Sequence, residues 1–307
     1  MDVKPRLIFF GNERIATGIQ TNTPLLRSLL SAGYDIAAIV ANHQQAQSRN
    51  ARELEIASLA TEHSIPLLLP ERLKDITEKL KGFQATAAVL VAYGKIIPQS
   101  IIDVFPRGII NIHPSLLPKH RGPTPVESVI LDGSIKTGVS VMQLVKAMDA
   151  GPIYAQSEIM LTGRETKQEL ADSLLEVSSA MLLEILPGIL SGAIVAMPQD
   201  DTVATYDKLI TKEGAVLDWQ KPAEVLEREV RAYLEWPKSQ TTLNGLPVTI
   251  TSAHVDSGTG TPGTLWQLPK QLGYYTIHDI FVIDKLKPAG KPEMTIEAYL
   301  AGYNTKT

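Results

Sequence analysis

The 307-residue chain contains no cysteine, which excludes disulfide bonds, thiolate catalysis and cysteine-ligated zinc sites. Aromatic residues are scarce, at 6% of the chain, and no apolar run reaches the ~20 residues that a membrane-spanning helix needs. The first residues lead directly into a short apolar strand and do not have the pattern of a signal peptide. We therefore expect a cytoplasmic protein with no membrane segment.

Motifs of several common enzyme classes are also missing. Gly11 follows the first apolar strand, but the residues up to Gly18 do not form the G-x-G-x-x-G pattern of dinucleotide-binding proteins. No segment matches a P-loop, H-E-x-x-H or G-x-S-x-G, and the six histidines are too scattered to suggest a metal site. These absences disfavour nicotinamide-dependent dehydrogenases and NTPases, and we expect no metal cofactor.

What is present is the composition of a globular protein. Hydrophobic residues make up 44% of the chain, charged residues 20%, and the net charge is −4. This length is ample for a buried core and long enough for two domains. The mildly acidic balance disfavours broad, nonspecific binding of nucleic acid but allows a local basic patch.

Up to about residue 190, apolar strands alternate with amphipathic helices. This alternation is typical of βαβ units and predicts an α/β fold with a doubly wound, mostly parallel, Rossmann-like sheet. The expected strands are residues 7–10, 36–40, 65–69, 87–92, 109–113, 139–144 and 153–159, and a long helix is expected at 166–190.

The pattern changes beyond about residue 207. A predicted helix at 222–233 precedes short strands near 246–254, 263–267, 274–277 and 281–286, separated by Gly and Pro turns. This spacing predicts a small C-terminal β-barrel-like (OB-like) domain. We therefore expect a first domain at residues 1–190, a linker at 191–206 and the OB-like domain at 207–307.

The most informative segment runs from Asn111 to Pro118. Asn111 and His113 are two residues apart on a predicted strand, so their side chains point to the same face. Pro114 and Pro118 prevent a central strand from continuing, and the chain must leave the sheet where open α/β sheets place their chemistry. An amide N–H can stabilise an oxyanion and an imidazole can move a proton, which suits acyl transfer.

Each of these residues also has a less specific explanation. A histidine at a strand end more often makes a structural hydrogen bond than acts as a catalyst. Asp149, in a predicted loop before Ala-Gly, is an ordinary turn residue when taken alone. Core packing explains apolar residues such as Val91 and Leu116 equally well. The residues taken singly therefore leave the function open.

As a set, the motifs resemble those of the folate-dependent formyltransferases. The resemblance is carried by Asn111 to Pro118, Arg121-Gly122, Pro125, Thr137-Gly138-Val139 and Met148-Asp149-Ala150-Gly151. In addition, Val91-Ala92-Tyr93-Gly94, followed by Ile97-Pro98, is similar to the folate-pocket strand and loop of this family.

The resemblance implies 10-formyltetrahydrofolate as the formyl donor, without a metal. It also implies that Asn111, His113 and Asp149 are catalytic. Asn111 would donate to the developing oxyanion, while Asp149 would accept a hydrogen bond from His113 or a water and favour the imidazolium. The implied folate contacts are Ser115, Leu116, Leu117, Pro118, Val91, Tyr93, Gly94 and Ile97.

The C-terminal part of the sequence narrows the choice of acceptor substrate. Thr205-Tyr206, Asp218-Trp219 and the residues from Arg231 to Pro237 resemble the C-terminal domain of the members that formylate the α-amino group of methionyl-initiator tRNA. The members that act on glycinamide ribonucleotide lack such a domain, but some that act on amino-sugar nucleotides have a related one. The resemblance therefore implies a monomeric enzyme of translation initiation, with an amino-sugar nucleotide as the alternative acceptor.

Candidate tRNA phosphate contacts are Arg49, Arg52, Lys119 and Arg121. Each of them, taken singly, is explained equally well as a solvated surface charge. The loop at 41–50 is glutamine-rich and less basic than the loop that this family inserts against the acceptor stem, and Lys285, Lys287 and Lys291 are further candidates. A binding module without turnover is the other class of function, and the intact Asn111, His113 and Asp149 set disfavours it.

Overall fold

The computed structural model describes residues 5–15, 17–21, 23–42 and 55–302. Contacts divide the chain into two compact units. The first contains Met1–Pro125, Lys136–Met160 and Gln168–Lys208, and the second contains Val126–Ile135, Leu161–Lys167 and Leu209–Thr307. The domain boundaries expected from the sequence, with a linker at 191–206, remain predictions.

Seven strands form the sheet of the first unit. They are β1 (Leu7–Gly11), β2 (Ile36–Val40), β3 (Leu67–Leu68), β4 (Ala87–Val91), β5 (Ile109–His113), β6 (Lys136–Gln143) and β7 (Ile153–Met160). Their order across the sheet is β3-β2-β1-β4-β5-β6-β7. The first five are parallel to one another, whereas β6 is antiparallel to both of its neighbours, β5 and β7. The predicted α/β fold with a mostly parallel, Rossmann-like sheet is therefore confirmed.

Helices lie between these strands in the chain and after the last of them. They are α1 (Pro24–Ser31), α2 (Glu55–Glu62), α3 (Thr77–Gly82), α4 (Gln99–Ile102), α5 (Pro125–Asp132) and α6 (Lys167–Ser191). Helix α1 begins with Pro24, because proline suits the first turn of a helix, where its missing N–H costs nothing. A 3₁₀ helix, Leu73–Ile76, directly precedes α3.

Helix α6 is 25 residues long and has one mostly apolar window. By length and composition alone it could cross a membrane, although polar residues interrupt its apolar ones. Length and composition do not distinguish such a span from a core helix. In the structure Leu170, Leu174 and Leu186 are buried, which favours the core helix.

The core of the first unit explains the uninterrupted apolar character of its inner strands. Strands β1 and β4 are buried at every position, as expected for parallel strands that are covered on both faces. On one face, Ile8, Phe10 and Leu90 belong to a single cluster with Phe105. The Phe10 ring meets Phe105 edge-on, with ring centroids 6.2 Å apart. This packing fixes the strands at whose carboxyl ends the predicted catalytic and folate-contact residues lie.

Six antiparallel strands form the sheet of the second unit. They are β8 (Gln240–Leu243), β9 (Leu246–Asp256), β10 (Leu265–Leu268), β11 (Gln271–Tyr275), β12 (Ile280–Pro288) and β13 (Met294–Thr295). Their order is β10-β11-β12-β9-β8, and β13 pairs with β12. Two helices accompany them, α7 (Ala223–Tyr233) and α8 (Ile296–Gly302). The predicted C-terminal β domain is therefore confirmed, as a curled antiparallel sheet.

The core of the second unit joins α7 to this sheet. Leu226 and Val230 on α7 are buried in one cluster with Ile250 and Phe281 of the sheet. The sequence did not predict β8, β13 or α8. In β8 only Leu243 is buried, so this strand lacks the alternation by which a half-buried strand is recognised.

Gly138, in β6, occupies a position where no side chain fits. A Cβ there would lie 2.0 Å from the carbonyl oxygen of Ser157 in β7. Because that backbone atom cannot rotate away, we expect Gly138→Ala to lower the free energy of unfolding by about 2 kcal/mol or more, measured by urea denaturation. Gly82→Ala is the control, since its Cβ would meet no atom within 4 Å. Equal losses in the two variants would contradict the geometry.

Candidate active site

Strand β5 carries two of the predicted catalytic side chains. Its residues alternate in direction, so Ile109, Asn111 and His113 share one face. Ile109 belongs to the core, while Asn111 and His113 lie nearer the carboxyl end and are 6% and 5% exposed. The strand ends at His113, where Pro114 was expected to end it. The pair therefore lies at the carboxyl edge of the parallel strands.

Two groups surround the His113 ring. Nε2 lies 2.9 Å from the carbonyl oxygen of His120, and Nδ1 lies 3.8 Å from Asp149 Oδ2. A carbonyl oxygen can only accept, so Nε2 carries a proton and Nδ1 has the lone pair of the neutral ring. Because 3.8 Å is too long for a hydrogen bond, the direct hydrogen bond expected between His113 and Asp149 is not formed in this structure. The water-bridged alternative stays a prediction.

Asp149 lies in the loop between β6 and β7. Its backbone is in the left-handed region, with φ of 48°. The main-chain N–H of Gly122 donates to Asp149 Oδ2 at 2.8 Å, and Gln199 Nε2 donates to the carbonyl oxygens of Asp149 and Gly151, each at 2.7 Å. The fold therefore places the Asp149 carboxylate, held by a hydrogen bond, beside the strand face on which Asn111 and His113 lie.

A buried hydroxyl holds the segment that follows β5. Ser140, in β6, pairs with His113 across one side of its strand and with Gln156 across the other. Its Oγ donates to the Ser115 carbonyl oxygen at 2.7 Å and accepts from the main-chain N–H of Leu117 at 3.0 Å. Gln156 Nε2 donates to this Oγ and to the Leu117 carbonyl oxygen, both at 2.8 Å. The main chain of residues 115–117 is therefore fixed by two side chains of the neighbouring strands.

The sequence did not predict Ser140, Gln156 or Gln199. One signal was available for Ser140, a hydroxyl between Val139 and Val141 in an apolar strand, because buried polar groups need partners. The two glutamines carry no local signal, since their partners are distant in the sequence.

The predicted folate contacts lie on two adjacent segments. Strands β4 and β5 are parallel, with Val91 paired to Ile112, so the residues after each strand leave the same edge of the sheet side by side. The predicted contacts differ in exposure: Val91, Tyr93, Ile97, Ser115 and Leu117 are buried, Leu116 and Pro118 are half-buried, and Gly94 is exposed. Their roles as ligand contacts stay predictions.

An orphaned polar group favours a ligand at this edge. The Tyr93 hydroxyl is buried and has no hydrogen-bond partner in the described part of the chain. Burial raises the pKa of Tyr93 to about 12, so the group is a neutral phenol that can donate. Its ring packs edge-on against Phe10. A buried donor beside apolar side chains fits a flat heterocycle with polar edges, such as the pterin of a folate.

The predicted tRNA contacts differ in their surroundings. Arg49 and Arg52 lie outside the described residues, together with residues 43–50 of the loop at 41–50. Lys119 is exposed beside the 115–118 segment. Arg121 is only 1% exposed and donates four hydrogen bonds, to the side chains of Gln199, Asp201 and Tyr206. This burial favours a structural role for Arg121 over the predicted phosphate contact.

Two other predictions concern charges and metals. Lys285 and Lys287 are exposed on one face of β12 in the second unit. In residues 5–42, apart from 16 and 22, and in 55–302, no group of three or more His, Asp or Glu side chains is placed to hold a metal ion. The expected absence of a metal cofactor remains a prediction.

Comparison with known proteins defines the class. The sequence pattern described as "Formyl transferase" matches residues 15–186, and the one described as "Formyl transferase, C-terminal domain" matches residues 209–304. The chain belongs to the formyl transferase family.

Individual relatives differ in their names and in the ligands of their structures. The methionyl-tRNA formyltransferase of Chloroflexus aurantiacus is 36% identical, and the match covers 97% of this chain and 96% of that protein. HypX from Aquifex aeolicus, solved in complex with tetrahydrofolic acid, has a TM-score of 0.66 at 16% identity, covering 97% of this chain and 47% of HypX. The N-formyltransferase from Helicobacter canadensis, in complex with folinic acid and dTDP-3-aminofucose, has a TM-score of 0.69 at 16% identity, covering 91% of this chain and 98% of that chain. At 16% identity these two structures show the fold alone.

We expect Ser140→Ala to lower the free energy of unfolding by about 1–3 kcal/mol, because the buried main-chain groups of Ser115 and Leu117 lose this partner. Urea denaturation measures the loss. Ser173→Ala is a matched control, because that exposed hydroxyl donates only to the Glu169 carbonyl within α6. If the two variants are equally stable, the bridging role of Ser140 is wrong.

Proposed function

We propose that this chain transfers a formyl group from 10-formyltetrahydrofolate to the α-amino group of methionyl-initiator tRNA, and so supports translation initiation. The observation that carries the proposal is the placement of Asn111, His113 and Asp149 at one edge of the sheet. It is supported by a relative named methionyl-tRNA formyltransferase that matches this chain over nearly its whole length. A binding module without turnover has no chemical need for all three side chains.

When bound, 10-formyltetrahydrofolate supplies the formyl group, and the segments after β4 and β5 are suited to hold it. Half-buried Leu116 provides an apolar surface, and the Tyr93 hydroxyl provides a donor. Ser140 and Gln156 keep the main chain of 115–117 in one conformation, so that its remaining polar groups can recognise the edge of a heterocycle without reorganisation.

His113 accepts the proton of the attacking amine at Nδ1. Nε2 is engaged with the His120 carbonyl oxygen, so Nδ1 is the ring atom with a lone pair. A proton on Nδ1 lies near the Asp149 carboxylate, 3.8 Å away, whose negative charge stabilises the imidazolium. The same proton can then be given to the leaving nitrogen, which makes His113 base and acid in turn.

Asn111 stabilises charge instead of moving a proton. As the amine attacks, negative charge develops on the formyl oxygen, and an amide N–H held on a rigid strand can donate to it. A donor of this kind typically contributes about 10²–10³ in rate. Because Asn111 and His113 share a strand face, the donor and the base are available to one reacting carbon.

The full-length relative supports the tRNA acceptor, and an amino-sugar nucleotide is the second candidate. The fold of the Helicobacter canadensis N-formyltransferase, whose structure contains dTDP-3-aminofucose, matches this chain over 98% of its own length. For the tRNA acceptor, Lys119 is the described candidate phosphate contact beside the site. We further propose that the enzyme is a monomer and that it lies in the cytoplasm, where charged initiator tRNA is available.

Removal of the Asn111 amide or of the Asp149 charge should slow formyl transfer without unfolding the protein. We expect Asn111→Ala and Asp149→Asn each to lower kcat about a hundredfold, because one loses the oxyanion donor and the other loses the charge beside Nδ1. Asp172→Asn, on the exposed face of α6, is the control and should keep the rate of the unaltered protein. Unchanged rates in the two site variants would refute this mechanism.

The acceptor can be tested directly with the purified protein and 10-formyltetrahydrofolate. We expect formylation of methionyl-initiator tRNA, detected by acid gel electrophoresis of the tRNA, and none of an amino-sugar nucleotide. Formylation of the sugar alone would overturn the tRNA acceptor. Formylation of neither compound would favour the binding module.

A further inference from the structure

Gln199 connects the catalytic loop to the residues that follow α6. Its Nε2 donates to the carbonyl oxygens of Asp149 and Gly151, and its Oε1 accepts from Arg121 Nε at 3.1 Å and Nη2 at 2.7 Å. This orientation is dictated by the partners, since carbonyl oxygens only accept and a guanidinium only donates. Both N–H groups of the amide are therefore used to hold the loop that contains Asp149.

The loop that contains Asp149 needs stabilising contacts to keep its conformation. Asp149 is a non-glycine residue in the left-handed region, which costs free energy and persists only when the surroundings impose it. At Gly151 the chain passes so close to β6 that a Cβ would lie 1.8 Å from the Gln143 carbonyl oxygen. The two hydrogen bonds from Gln199 bracket this tight turn and fix the backbone that carries the catalytic carboxylate.

Arg121 in turn fixes Gln199. Burial alone would lower the pKa of Arg121, but its hydrogen bonds to Asp201 and Tyr206 outweigh this and raise it. The charged guanidinium is therefore maintained although it is 1% exposed. Its two donations to Gln199 Oε1 leave the amide a single orientation.

The main chain reinforces this arrangement. The N–H of Arg121 donates to the Thr205 carbonyl oxygen at 2.9 Å, and the N–H of Asp207 donates to the Arg121 carbonyl oxygen at 2.7 Å. The next residue, Gly122, donates its N–H to the Asp149 carboxylate. Residues 121 and 122 thus hold the carboxylate directly and hold its backbone through Gln199.

We propose that Gln199 is a positioning residue of the active site, whose two amide N–H groups fix the Asp149 turn and thereby keep the Asp149 carboxylate beside His113 Nδ1. This inference rests on the proposed function, because it assumes that the His113–Asp149 pair moves the proton of an attacking amine. It assigns part of the catalytic machinery to the 191–206 segment, which the sequence suggested was only a linker.

Two substitutions separate the two contacts that Gln199 makes. Gln199→Glu keeps an oxygen for Arg121 but places a second oxygen against the carbonyls of Asp149 and Gly151. Gln199→Ala removes both contacts. If the N–H groups matter, both variants should lose about 10- to 100-fold in kcat, with KM for the folate donor within about twofold, as expected for misplacement of a catalytic group.

The pH profile of kcat is a second readout, which a merely structural role would not move. A carboxylate that is held less firmly stabilises the imidazolium less, so the acidic limb of the profile should move to lower pH in Gln199→Ala, which introduces no new charge. Gln168→Ala is the matched control, because this glutamine ties α6 to the Gln20 main chain in the same unit without touching the site. It should leave kcat and the profile unchanged.

A measurement without substrates distinguishes failure of this inference from failure of the proposed function. In two-bond ¹H–¹⁵N spectra of the unliganded protein, with His113 assigned through His113→Gln, the His113 ring signals should shift in both Gln199 variants and stay in place in Gln168→Ala. Unmoved ring signals, or a Gln199→Glu variant with the kcat of the unaltered protein, would overturn the positioning role. If the ring signals shift but no acceptor is formylated even by the unaltered protein, the positioning stands and the proposed function fails.

Discussion

The hydroxyl of Ser140 is the contact on which the shape of the site depends. Where β5 ends at His113, before Pro114, the main-chain groups of the next residues leave the sheet and lose their strand partners. One buried hydroxyl, with one proton and two lone pairs, satisfies the Ser115 carbonyl oxygen, the Leu117 N–H and the Gln156 amide together. Because Ser140 also pairs with His113 in the sheet, the catalytic strand and the segment beside it share one anchor.

The sheet and the catalytic strand could be predicted because their signals are local. Uninterrupted apolar runs revealed the inner parallel strands, and the period of two placed Asn111 and His113 on one face. The proline after His113 marked the strand end. Asp149 is different, since its loop has no periodicity, and only the resemblance to a family indicated it. Its left-handed backbone and its distance from Nδ1 are properties of the folded chain.

The remainder of the site could not be predicted because its contacts join distant parts of the chain. Arg121 and Gln199 are 78 residues apart, and nothing in either local sequence indicates the other. An arginine beside the site was therefore interpreted as a phosphate contact, although it is buried and donates four hydrogen bonds within the protein. Tyr93 and Ile97 remain predicted folate contacts; both belong to a core cluster, and the buried Tyr93 hydroxyl has no hydrogen-bond partner among the described residues.

The composition of the second unit has a consequence for how the protein is made. This unit includes Val126–Ile135 and Leu161–Lys167 as well as Leu209–Thr307. The two early stretches leave the ribosome while most of their unit has yet to be translated. Val129 and Ile130 are 1% and 4% exposed in the folded protein. In the nascent chain these side chains therefore lack the later residues of their own unit. Domains generally fold as units during synthesis. Here the early segments of the second unit are translated long before the unit can fold. A nascent chain therefore depends on its last third to cover helix α5.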